Sequence, residues 1–247
     1  MCAQLQVLAE LDQPGEWYLD KTTKELYLWP NTTDGLPAGG LLIAPHLETL
    51  VDIHGRDQYA PASNISFVNV AFRHAKPTIL SPRGYSVLLG GGDYAMVKAA
   101  AIVAENVDGL RIEGCSFSRL DGNAVMLYSY VRNAVVTDNL FYSLGANAIV
   151  SWGVAEFQEG TRGTNPEGTQ IIGNFASEIG LLEKQGCFYF QALSALAVLE
   201  RNIAFNGPRA AINCNILLVA LHLHCPAACS HSLKIPACLT CTCDDLL

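Results

Sequence analysis

Charge is scarce in this sequence of 247 residues: Asp, Glu, Lys and Arg make up 15% of it, and 15 Lys plus Arg face 23 Asp plus Glu. No basic run occurs, and a net charge of −8 leaves no surplus of cations for a phosphate backbone, which excludes nucleic acid as the main partner. Long apolar runs are missing too. The most apolar stretch, Ile216 to Leu223, is far short of the roughly 20 residues of a membrane span and is broken by His222, His224 and Pro226. The first residues lack a basic segment followed by an apolar one, because Gln4, Gln6, Glu10 and Asp12 interrupt it, so no signal peptide is read there and localisation stays unassigned. Helix-period segments of useful length are also absent, and the Leu-x-x-Leu-x-Leu consensus of a leucine-rich solenoid does not occur at a steady register.

What is present is apolar and aromatic. Hydrophobic residues make up 50% of the chain, enough for a substantial core. The stretch GEWYLDKTTKELYLWP, residues 15 to 30, has alternating apolar runs on either side of a polar Lys21-Thr22-Thr23-Lys24 link, which predicts a β-hairpin. Alternation puts Trp17 and Leu19 on one face and Tyr18 on the other. As a cap, the hairpin would cover apolar surface that a repeat protein must not leave bare. A packing role is favoured over a glycan-stacking one.

A repeat follows. Ile112 and Val136, Phe117 and Phe141, Leu120 and Leu144, Asn123 and Asn147, and Ala124 and Ala148 are all 24 residues apart. Looser copies begin at Asn64, Gln170 and Leu199. In each copy apolar residues alternate over short runs broken by Gly, Asn or Asp, which reads as strand and turn in succession. About 24 residues of short strands per copy is one rung of a right-handed parallel β-helix, an all-β solenoid in which each rung buries its inward side chains on its neighbours. Asn139 and Asn174, with Asn69 and Asn202, are expected to stack at one corner as an amide ladder. Two insertions, Pro77 to Ala101 and Val154 to Gly168, are expected at the turns as walls beside the coil.

The hairpin together with SNISFVNVAF, RLDGNAV, IVSWG, EKQGCFYFQA and FNGPRAAIN resembles the right-handed β-helix repeat proteins of the pectate-lyase-like and β-helix glycoside hydrolase superfamily. The resemblance covers about residues 14 to 213. It implies a carbohydrate-active protein, a glycoside hydrolase or polysaccharide lyase, with a polysaccharide or oligosaccharide as partner and an extracellular location for a full-length relative. A non-catalytic glycan-binding or structural solenoid is the alternative. Further rungs are expected beyond Asn213, so the chain reads as a C-terminally truncated member in which activity is uncertain. The expected organisation is a hairpin cap region over 1–60, about five rungs over 61–213 and an irregular Cys-rich tail over 214–247.

Hydrolysis of a glycosidic bond needs two carboxylates across the bond, whereas a lyase needs a base and positive charge to stabilise the anion formed. Counting from Phe72, Phe117, Phe141, Ala176 and Phe205 as the core position of each rung, the position two later holds His74, Arg119, Ser143, Glu178 and Gly207. Four later come Lys76, Asp121, Gly145, Gly180 and Arg209. Rungs stack about 4.8 Å apart, so one groove is expected to collect these side chains across several sugar units. The catalytic candidates are Asp121, Glu178 and Glu183. The substrate-binding candidates are Arg119, Lys184, Gln191 and Arg209. The simpler reading is a solvated corner with Arg–Asp pairing, and Asp121-Gly122 is also ordinary turn chemistry.

No cofactor is expected. Calcium is left open, with no specific motif to support it. Cys238 and Cys241 have ligand spacing, yet no second pair matches them, and the other Cys and His of the tail form no zinc pattern.

Overall fold

The computed structural model describes residues 3–4, 7–31, 35–36, 39–78, 98–156, 159–215 and 221–224; for 3–4, 155–156, 159–163, 215 and 221–224 this covers the backbone alone. The chain divides into two compact units, Met1–Ala44 and Pro45–Leu247.

The first unit holds the expected hairpin. Strand Glu16–Asp20 runs antiparallel to Glu25–Leu28, with Trp17 opposite Leu28, Tyr18 opposite Tyr27 and Leu19 opposite Leu26. Asp20 Oδ1 accepts the backbone N–H groups of Thr22 and Thr23, and Lys24 closes the turn in the left-handed region at φ 63°. A two-residue strand, Ala3–Gln4, lies parallel to Glu16–Asp20.

The second unit is a parallel β-helix. Its first sheet stacks Val51–His54, Ala100–Asp108, Asn123–Arg132, Ile149–Trp152, Tyr189–Ala192 and Ile212–Asn215. The second stacks Ser66–Val68, Arg111–Glu113, Val135–Thr137, Gln170–Ile172, Ala197–Glu200 and Leu221–His224. The third stacks Ala71–Arg73, Ser116–Leu120, Leu140–Leu144, Phe175–Ser177 and Ile203–Phe205. The 24-residue offset is the register itself: Phe117 pairs with Phe141, Ile112 with Val136 and Leu120 with Leu144. Strands Ile212–Asn215 and Leu221–His224 reach into the stretch expected to be irregular. The Cys-rich remainder, 225–247, and most of the first insertion lie outside the described residues.

Inside the coil Phe72, Phe117 and Phe141 stack with centroids 5.0 and 4.9 Å apart and planes within 14°. The amide ladder is present with a changed membership. Asn139, Asn174 and Asn202 occupy it: Asn139 N and Nδ2 donate to Asn174 Oδ1, and Asn174 N and Nδ2 donate to Asn202 Oδ1. Asn69 is not a member. It stands one place earlier, at φ 57°, stacked on Gly114, while the ladder site of the next rung is taken by Cys115, whose N–H donates to Asn139 Oδ1. A second ladder joins Asn123, Asn147 and the backbone of Cys187 at the edge leading into the first sheet.

Candidate functional site

The corner between the third and first sheets is a column of left-handed residues: His74, Arg119, Ser143, Glu178 and Asn206, with φ between 51° and 61°. A left-handed residue turns the chain sharply while keeping the strands on either side in register, and non-glycine residues tolerate it only where the surroundings hold them. Arg119 is exposed, and Asn206 Nδ2 donates to Glu178 Oε1 at 2.8 Å.

The register moves one expected residue. Ala204, not Phe205, pairs with Ala176, and Phe205 faces outward beside Ser177, 46% exposed. The position two later is therefore Asn206 and the one four later is Pro208. A Cβ placed on Gly180 would run into the Pro208 ring. Arg209 lies one residue beyond the column, exposed.

Asp121 is where the counting put it, in the column of Lys76 and Gly145. Its N–H donates to Ala75 O at 3.2 Å. Burial holds its carboxyl above the ordinary carboxylate value, and the His74 side chain beside it pulls partly the other way. Glu183 and Lys184 serve their own loop: Glu183 Oε1 accepts the Gln185 N–H, and Lys184 Nζ donates to the carbonyls of Leu181 and Gly180 at 2.8 and 3.2 Å. Gln191 is turned into the coil. It is fully buried, accepts from the Tyr189 hydroxyl at 2.8 Å and donates to Ser194 O at 3.1 Å, in the same inward column as Ser151. The structure thus brings Arg119, Asp121 and Glu178 to one corner with His74. It gives Glu183 and Lys184 backbone partners, and it withdraws Gln191 from the surface.

Next to this corner lies a cleft that counting from the phenylalanines did not reach. Its volume is ≈ 350 Å³, at the small end of ligand pockets, and it is lined by Glu48, Thr49, Asp52, His54, Lys98, Ala99 and Val103. Strand Val51–His54 alternates, burying Ile53 and turning Asp52 and His54 outward. His54 pairs in register with Glu105, and Glu105 with Tyr128. The imidazole sits between two carboxylates, Nε2 at 2.7 Å from Asp52 Oδ1 and Nδ1 at 3.3 Å from Glu105 Oε2. Lys98 Nζ lies 2.6 Å from the same Glu105 oxygen and 4.0 Å from the centroid of the Tyr128 ring, which meets Trp152 edge-on. Lys76 connects the two places. It stands in the column of Asp121, and its ammonium is 3.5 Å from Glu48 in the cleft wall.

The alternation of Val51-Asp52-Ile53-His54 was the available signal for this cleft. The partner, Glu105, was hidden because the register of the next strand depends on how the chain returns across the first insertion. Among the described residues no group of three or more His, Cys, Asp or Glu is arranged to hold a metal ion.

No family model and no curated protein matches the sequence. A solved structure described as a glycoside hydrolase is similar to this chain, with a TM-score of 0.62 and 21% identity over 82% of this chain and 39% of that protein. At that identity the likeness shows the fold, a stacked parallel β-helix. The chain spans well under half the length of the protein it matches. No described helix is long and apolar enough to cross a membrane.

Proposed function

We propose that this is a carbohydrate-active β-helix protein of the pectate-lyase-like kind, and that a polysaccharide lies across the rungs at the corner between the third and first sheets. The observation that carries the reading is the state of Asp121: a half-buried carboxyl, held above its ordinary value by desolvation, at a corner it shares with the carboxylate of Glu178. A carboxyl that holds its proton more tightly than usual is suited to protonating a leaving glycosidic oxygen, while a second carboxyl across the bond acts on water. Asp121 and Glu178 belong to the second and fourth rungs, roughly 10 Å apart along the coil axis at about 4.8 Å per rung, and stand in neighbouring columns of the corner. Arg119 would orient hydroxyl groups of the same chain.

The likeness in fold to a glycoside hydrolase supports this reading without supplying the residues. The test is incubation of the protein with a panel of neutral, amino and uronic polysaccharides, reading both new reducing ends and ultraviolet-absorbing unsaturated ends. Reducing ends without unsaturation, lost in Asp121→Asn and in Glu178→Gln, are expected. Unsaturated ends would make it a lyase. Cleavage unchanged in both variants would remove these two residues from the site, and binding without cleavage would leave a glycan-binding solenoid.

A further inference from the structure

The cleft beside the corner bears on which sugar the protein takes, a question that rests on the carbohydrate reading above. Its lining combines three carboxylates, from Glu48, Asp52 and nearby Glu105, with the Lys98 ammonium, the His54 imidazole and, at its rim, the Lys76 ammonium. Each of these three basic groups already faces a carboxylate: Lys76 faces Glu48, Lys98 faces Glu105, and His54 lies between Asp52 and Glu105. Lys98 is held a second time, over the Tyr128 ring. A uronate carboxylate entering here would have to displace one of these pairs while approaching the others, and both costs act in a partly desolvated recess.

A ligand that brings hydrogen-bond donors meets the opposite balance. An ionised carboxylate only accepts, through two oxygens with about four lone-pair sites, and one ion pair leaves acceptor capacity on it. Asp52 is the most open of the three, its side chain 58% exposed beside the His54 ring. Sugar hydroxyls donate to such groups, and the ammonium of an amino sugar does so with charge assistance.

We infer that this cleft is a sugar subsite selective for neutral or amino-bearing glycans and set against polyuronates. A chain crossing the rungs at Asp121 would reach it past Lys76, so the cleft would choose the residue next to the one being cleaved.

The experiment is calorimetric titration of the whole protein with three probes of equal length: a glucosamine hexamer, xylohexaose and a galacturonate hexamer. The first two should bind, the glucosamine hexamer more tightly and with loss of affinity in added salt, and the galacturonate hexamer should be weaker by about tenfold or more. Asp52→Asn should weaken the glucosamine hexamer by about fivefold or more, while its exposed position leaves the melting temperature within about a degree of the parent protein. Tighter binding of the galacturonate hexamer overturns the inference and leaves the carbohydrate reading standing. Equal binding of all three, or no effect of Asp52→Asn on the glucosamine hexamer, overturns the subsite. Failure of every probe to bind overturns the inference together with the reading it rests on.

Discussion

At the scale of single residues, a change in Asp121 should separate stability from function. Its carboxyl is raised above the ordinary value of 3.8 because burial disfavours the charge, with His74 offsetting part of that cost. The native state therefore holds this proton to higher pH than the unfolded chain does. Between the two values the native state binds more protons, so stability falls as pH rises through that window, and the deficit persists above it. Asp121→Asn should raise the melting temperature at pH 7, on a scale of about 2–4 °C for each kcal/mol recovered. At pH 3, where both states are protonated, the gain should vanish. Thermal melts at the two pH values check this, and a lower melting temperature at pH 7 would show that the ionised carboxylate is structurally required. Gln191 illustrates what residue type alone does not tell. An amide in a strand suits a sugar or a core equally well, and only the parity of Tyr189–Ala192 decides it. Tyr189, in the same inward set, has its phenol pushed up by full burial.

At the scale of elements, the ladders and stacks were legible because each recurs at a fixed offset. Phe117 and Phe141, or Asn123 and Asn147, announce their contact by standing 24 residues apart. Copies with irregular lengths were harder. Between Ala176 and its partner Ala204 the chain takes 28 residues, and the more conspicuous Phe205 invited a shift of one place that moved Arg209 into a column held by Pro208. Asn69 was drawn into the ladder by the same kind of slip. Since a one-residue slip exchanges the two faces of a strand, an aromatic residue alone is a poor marker of register. The true ladder should be strongly coupled to stability. Asn174→Ala removes the acceptor of the buried Asn139 N–H and the donor to Val136 O. With each orphaned buried group costing about 1–3 kcal/mol, a loss of roughly 2–5 kcal/mol is expected in denaturant unfolding. A loss below about 0.5 kcal/mol would mean that water or backbone shifts replace the ladder readily.

At the scale of the molecule, the coil turns distance along the chain into adjacency. His54 and Glu105 are 51 residues apart and meet at 3.3 Å because consecutive rungs stack them. The architecture was readable from composition and period, since no helical pattern competed with the strands. The candidate corner was readable at Arg119, Asp121 and Glu178, whose core positions Phe117 and Ala176 were correctly placed. The cleft was not, because the register that assembles it crosses an insertion. On the proposed function, sugars meet the protein along the edge made by the corner and this cleft. Peptide-resolved hydrogen exchange of the whole protein, alone and with each of the three hexasaccharides, tests it most directly. Protection on binding is expected in peptides covering Glu48 to His54, Lys98 to Glu105 and Arg119 to Asn123, with the outer face of the third sheet unchanged. Protection confined to the third sheet, around Tyr142, Phe175 and Phe205, would contradict it.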